Sequence, residues 1–241
     1  MSRQTLDRQR GVALLVVMAV LLLASVSLLG GLQTGWLGER RAGSGSDAQR
    51  AFAAAEALVR DAELDILGLR ADGQPCGRTA GIDSACRQAA GTGVYFPQDD
   101  DDLDILGPRL AGGYRQCLQG ICMPASVDAL DAKAWTEDLA AMTAGEGDRA
   151  IAATYGRYTG AKPGADGHPL LDPARSAAWY WVEVFRYADA AAILTPVADL
   201  PVPDRRHPFI YRIHAYVQGL KPGTRVHLRT VFVPRPQNQN P

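Results

Sequence analysis

One stretch near the start constrains what this chain can become. From Val12 to Leu32 it is apolar almost throughout, and no charged residue follows until Glu39. A basic leader (Arg3, Arg8, Arg10) ends abruptly at Gly11. At about 1.5 Å rise per residue the run makes a helix of roughly 30 Å, the thickness of a bilayer's hydrocarbon core. Trp36, just beyond, suits a membrane–water interface. A membrane-spanning segment is therefore expected over residues 12–38, with residues 1–11 as its leader.

Three fates are open to such a segment. It can be a cleaved secretory signal, with Ser25 and Ser27 offering a small-x-small site. It can be a plain single-span anchor. Or the leader alone is removed, after Gly11, and the apolar run stays in the mature protein. The basic leader favours a cytoplasmic N-terminus, although Asp7 in the leader and Arg40 and Arg41 after the run dilute that bias. The bulk of the chain then lies outside the cytoplasm. Roughly 200 residues remain, enough for one domain with a real core or two small ones. A formal net charge of −1 gives no global basic field for nucleic acid.

The cysteines agree with export. There are four, Cys76, Cys86, Cys117 and Cys122. An even count in an exported chain reads as disulfides. Neither spacing is the short C-x2-C of a zinc site and no histidine lies nearby. Three connectivities are possible; the local one, Cys76–Cys86 with Cys117–Cys122, is expected.

The glycines at 30, 31, 35 and 38 lower helix propensity by about 1 kcal/mol each relative to alanine, so a bend between 30 and 45 is expected. Ser46 followed by Gln49 has capping-box spacing. Phe52, Ala55, Val59, Ala62 and Ile66 then mark one face of an amphipathic helix through residues 39–67, with Arg50, Glu56, Arg60, Asp61 and Glu63 mostly off it. Residues 68–110 are expected to be loop-rich. The acidic run Asp99–Asp102 with Asp104 has the composition of a calcium loop but lacks its oxygen spacing and turn glycine, so a solvated loop is expected. Tyr114 to Cys122 reads as a short strand and tight turn clipped by a disulfide. Asp128 to Ala153 carries a loose helical pattern in Leu130, Trp135, Leu139 and Met142.

The periodicity then switches. Trp179 to Phe185 is aromatic and β-branched, a strand. Phe209 to Gln218 and Thr224 to Val233 form a hairpin about a turn at Gly219 to Gly223. Alternation sends Tyr211, Ile213, Ala215 and Val217 to the core with Val226, Leu228, Thr230 and Phe232. Matched faces are met by pairing Ile213 with Leu228 and His214 with His227. Arg212, His214, Arg225, His227 and Arg229 then share an outer, solvated basic face. The tail, 234–241, is Pro/Gln/Asn-rich and expected to be disordered.

No constellation carries catalysis. The four histidines (His168, His207, His214, His227) offer at most one facing pair, and two ligands seldom hold a metal. There is no G-x-S-x-G elbow and no phosphate loop. No catalytic, cofactor-binding or metal-binding residue is assigned, no cofactor is expected, and the chain is not read as an enzyme.

Three stretches resemble a known family. Gln9 to Val17 (QRGVALLVV), Glu39 to Gly43 (ERRAG) and Ala51 to Glu63 (AFAAAEALVRDAE) are similar to the start of PilX-type minor pilins of the type IV pilus. Trp179 to Phe185 and the hairpin Tyr211 to Phe232 resemble that family's closing sheet; residues 68–175 carry none of the resemblance. It implies an α+β, pilin-like fold. A long N-terminal helix, its first half in the membrane, packs its second half on a C-terminal antiparallel sheet. A disulfide-containing, loop-rich middle region completes the periplasmic domain, residues 68–233. It implies cleavage between Gly11 and Val12 by prepilin peptidase and N-methylation of Val12. It implies residence in the inner membrane of a Gram-negative bacterium and then in the pilus, at its tip. Its partners would be other minor pilins, the major pilin and an adhesin at the pilus tip; none is a nucleic acid.

One position departs from the pattern. Most pilins carry glutamate at the fifth mature position, where this chain has Val16. A carboxylate in lipid is costly and is kept for a specific partner, so its absence argues against a repeating subunit and for an initiating one. The tip pseudopilin of type II secretion also lacks it and stands as one alternative. A periplasmic binding or adhesive domain on a plain anchor is the other.

Overall fold

The computed structural model describes residues 4–76, 86–87, 93–124, 134–163, 167–187 and 208–234, with side chains omitted for 4–13, 26, 28–42 and 134–137. Two compact units divide the chain, residues 1–47 and 48–241.

In the first unit α1 (Gln4–Ile66) begins. Leu14 to Leu23 present large apolar side chains that are more than half exposed. Ser25 and Ser27 donate their hydroxyls to the carbonyls of Leu21 and Leu23, at 2.7 and 2.9 Å. Among the described residues no helix is long and apolar enough to cross a membrane. Helix continues through 30–45, where the glycines led us to expect a bend. Ser46 is no cap: it lies inside α1 and donates to Gly43 O at 3.1 Å.

In the second unit the buried face of α1 is Ala51, Ala54, Ala55, Leu58, Asp61, Ala62, Asp65 and Ile66. This stripe is rotated from the expected one. Phe52 is 47 % exposed and Asp61, expected off the face, is 2 % exposed. Small residues on the stripe let the helix backbone approach the sheet, which a phenylalanine would prevent. The helix stops in a Schellman motif. Gly68 takes φ +63, its N–H reaches Asp65 O at 3.1 Å, and Leu69 N–H reaches Leu64 O at 2.8 Å.

The acidic run is helical, not a loop. It opens α2 (Asp100–Leu110), with Asp99 as N-cap accepting from Asp102 N–H and with Leu103, Leu106 and Leu110 buried. Carboxylates in a first turn complement the helix dipole, and the three leucines supply the apolar face. The helical pattern over 128–153 shortens to α3 (Ala134–Met142); residues 128–133 lie outside the described residues, as does the tail from 235.

Among the described residues the sheet has six strands: β1 (Cys117–Leu118), β2 (Ile121–Cys122), β3 (Ala153–Thr154), β4 (Ala178–Arg186), β5 (Phe209–Gln218) and β6 (Arg225–Phe232). Their order is β1-β2-β4-β5-β6, with β3 also on β4. All pairings are antiparallel except β2 with β4. The sheet is therefore not wholly C-terminal, because the middle region contributes three short strands. The β5–β6 faces are as expected but the register is shifted by two: Ile213 pairs with Thr230, His214 with Arg229 and Ala215 with Leu228. A two-residue slip conserves the faces because side chains alternate with period two.

One face of the sheet packs on α1, through Tyr180, Val182, Val184, Ile213, Ala215 and Val217. The other carries a second cluster built on Cys117, Cys122, Met142, Trp179, Trp181 and Tyr216. That face is thus covered in part, and His214, expected on a solvated face, is fully buried.

Both expected disulfides are present, Cys76–Cys86 and Cys117–Cys122. The second spans directly opposed residues of β1 and β2. Gln119 and Gly120 turn between those strands at φ 54 and 80, both positive as a type I′ hairpin requires. A Cβ on Gly120 would sit 2.7 Å from Ala153 Cβ. Gly120→Ala should therefore lower stability by about 2–4 kcal/mol, read as a fall in the urea midpoint of the full chain. An unchanged midpoint would contradict this packing.

Candidate functional site

Beneath α1 lies a buried polar network. Asp65 and Arg87, 5 % exposed each, form a two-pronged ion pair: Nε to Oδ1 at 2.8 Å and Nη2 to Oδ2 at 2.7 Å. Tyr180 on β4 donates its hydroxyl to Asp65 at 2.8 Å. Arg87 Nη2 also donates to Gln119 O at 2.8 Å, and the guanidinium lies 3.5 Å from the centroid of the Tyr158 ring. Burial opposes the charge on Arg87, but Asp65 outweighs it and the pKa rises above its ordinary value. Burial, with Asp65 next, pushes the Tyr180 phenol well above its usual range.

One turn earlier on the same helix face, Asp61 accepts from Gly156 N–H at 2.7 Å and from the Thr159 hydroxyl. Gly156 holds φ +71, and a Cβ there would meet Ala161 O at 1.8 Å. Burial raises the Asp61 pKa to about 6, against the two hydrogen bonds. Gln119 joins the parts: its side chain donates to Asp148 O at 3.1 Å, accepts from Tyr158 at 3.3 Å, and its N–H reaches Ala150 O at 2.6 Å. The network fixes helix, hairpin and the 148–159 segment in one arrangement. Asp65 is engaged by Arg87 and Tyr180 and Asp61 by Gly156 and Thr159, so the network's role is positional.

On the opposite face Glu183, 4 % exposed, accepts from His214 Nε2 at 2.8 Å and from Arg212 Nε. His214 Nδ1 faces His227 Nε2 at 3.2 Å, a diagonal contact, since His227 pairs with Tyr216. Burial is the main cause lowering both histidines, His227 to about 4. Among the described residues no group of three or more His, Cys, Asp or Glu is placed to hold a metal. The acidic run is structurally occupied: Asp99 caps α2, Asp102 accepts from Tyr95 and Gln98 N–H, and Arg186 reaches Asp100 and Asp104.

Of the residues singled out from sequence, Gly11 and Val12 lie in α1 where side chains are not described, and Val16 is 55 % exposed. The cysteines pair as expected. Sequence reasoning missed Asp61, Asp65, Arg87 and Gln119. The one available signal was two acids four apart, each beside a buried apolar position (Ala62, Ile66), had the stripe been phased on Leu58. Arg87 gave none.

A helix laid on an antiparallel-dominated sheet, with two disulfides, defines an α+β protein. The family Type IV pilus assembly protein PilX C-term matches residues 84–234, and the chain belongs to that family. The match extends into the middle region, where the sequence had suggested no resemblance. No curated protein and no solved structure matches the chain. Membership associates the chain with type IV pilus assembly, and so with the envelope and with other pilus components.

Asp61 gives a pH test. With its folded pKa raised from 3.8 to about 6, the folded state binds more protons between those values, so this group's contribution falls as pH rises through that window. Asp61→Asn keeps an acceptor for Gly156 and Thr159 but cannot ionise. Relative to the natural chain it should gain stability from pH 4 to pH 7, by up to about 3 kcal/mol, in urea unfolding series. A difference that does not change with pH would refute the assignment.

Proposed function

We propose that this chain is a minor pilin, made as a precursor in the inner membrane and used in the complex that initiates the type IV pilus. Family membership carries the assembly role. The exposed apolar row Leu14–Leu23, directly after Gly11, supports the membrane stage. The internally satisfied Ser25 and Ser27 fit the same surroundings, because lipid offers hydroxyls no partner. Two disulfides fit a domain that matures in the oxidising periplasm.

On this reading prepilin peptidase cuts between Gly11 and Val12, and Val12 becomes the methylated N-terminus. Mass spectrometry of the mature protein should find that terminus, and Gly11→Leu should leave the full-length precursor in the membrane. A mature chain that begins at Met1 or near Leu28, or normal processing of Gly11→Leu, would refute the proposal.

Val16 supports the initiating position. A repeating subunit gains a defined register from a buried charge pair at the fifth mature position. A subunit that starts the fibre meets no earlier neighbour there, and valine leaves no charge unpaired. Its partners on this reading are other minor pilins, the major pilin and an adhesin at the tip. Labelled protein in sheared pili should mark fibre ends, and Val16→Glu should disturb initiation. Uniform label along the fibre would exclude the tip position, and label confined to a secretion apparatus would favour the pseudopilin reading.

A further inference from the structure

In the second unit a groove of about 770 Å³ opens between the turn at 143–147, the segment 152–158 and the turn at 173–176. This volume falls within the range of about 300–1,000 Å³ typical of small-molecule sites. The polar side chains here contrast with those under α1. Under the helix Asp61, Asp65, Thr159 and Gln119 are all engaged. In the groove the hydroxyls of Thr154, Tyr155 and Ser176 and the indole N–H of Trp179 make no hydrogen bond among the described residues.

Trp179 carries the most weight. It is 9 % exposed, and its ring stacks on Tyr216 with centroids 6.1 Å apart. A tryptophan buried this far usually places its N–H on an acceptor, and here the described residues supply none. The charges at the rim oppose one another. Glu146 makes no ion pair among the described residues, and Arg157 makes a long, exposed one to Asp148 at 3.6 Å. An anion entering the groove meets Glu146 and a cation meets Arg157, so the lining favours a neutral ligand. Hydroxyl groups both donate and accept. A ligand that answers a set of such groups, one indole donor and both rim charges carries many hydroxyls of its own. Tyr155, half-buried, offers an aromatic ring to the apolar face of such a ligand.

We propose that this groove binds a neutral oligosaccharide. The indole N–H of Trp179 donates to one sugar oxygen, and the hydroxyls of Thr154 and Ser176 exchange hydrogen bonds with others. At the rim Glu146 accepts from sugar hydroxyls and Arg157 donates to them. The groove lies wholly in the second unit, so the site depends neither on cleavage at Gly11 nor on the subunit's place in the pilus.

The test uses the full chain, isotope-labelled at its tryptophan indoles, in a detergent without a sugar headgroup. The probes are maltotriose, cellotriose and tri-N-acetylchitotriose. At least one should shift the Trp179 indole resonance saturably, while that of Trp36 in the first unit stays in place. Trp179→Phe keeps an aromatic ring over Tyr216 and removes the N–H. Its affinity for that sugar, read by calorimetry, should fall by roughly tenfold or more, the loss of one buried hydrogen bond. Should Trp179→Phe misfold, Thr154→Val keeps the side-chain shape and loses the hydroxyl; it should weaken binding severalfold at an unchanged urea midpoint. No saturable shift with any of the three sugars, or an unaltered affinity in either folded variant, would overturn the proposal. So would tighter binding of blocked trialanine than of every sugar, which would make the groove a peptide site.

Discussion

The buried ion pair between Asp65 and Arg87 is the contact on which the rest of the second unit depends. Two charges taken out of water are stabilising only when geometry is good and remaining polar atoms are satisfied. Here Asp65 accepts from both the guanidinium and Tyr180, and Arg87 also reaches Gln119 O; its Nη1 has no hydrogen-bond partner among the described residues, and the guanidinium lies against the Tyr158 ring. Removing one partner would leave the other charge buried alone, typically a loss of about 3–5 kcal/mol. Arg87 is brought there covalently. α1 is closed off by Gly68, just past its end, whose carbonyl accepts from Cys76 N–H at 2.8 Å; Cys76 is bonded to Cys86, and Arg87 is the next residue. The disulfide thus closes a loop of chain between the helix end and the cation that pairs with the same helix.

This arrangement explains why a helix lined mainly with alanine holds its register on the sheet. Alanine side chains allow close approach but discriminate poorly between one register and the next, because each offers the same small volume. Directional contacts supply the discrimination. Asp65 is fixed by Arg87 and Tyr180, and Asp61 by Gly156 and Thr159. A shift of the helix by one residue would strand two buried carboxylates without partners. The cost of burying Asp61, visible in its raised pKa, is the cost of that specificity.

The strands were legible and their surroundings were not. β4 and β5 follow from runs of aromatic and β-branched residues whose boundaries are local. The faces of β6 follow from alternation, while its register missed by two, because the turn geometry that sets register leaves the period unchanged. The acidic run misled because five aspartates mask the spacing of Leu103, Leu106 and Leu110, which is helical. Phe52 misled because hydrophobicity alone does not tell a packing residue from an exposed one. His214 misled because a basic residue at an outward position reads as solvated until Glu183 and Trp181 are known to lie beside it, the tryptophan ring 5.3 Å away.

The sequence by itself determined the properties that depend on period and on covalent chemistry. These are the apolar run after Gly11, the amphipathic character of the second half of α1, the strands that alternate and the even set of cysteines. Only the tertiary structure decided which carboxylate is buried and what it meets. Asp61 and Thr159 are separated by 98 residues and Asp65 and Tyr180 by 115, and no local pattern encodes a contact across such distances. Period survives in any fold that buries one face. Partnership does not, because it is set by where the chain returns.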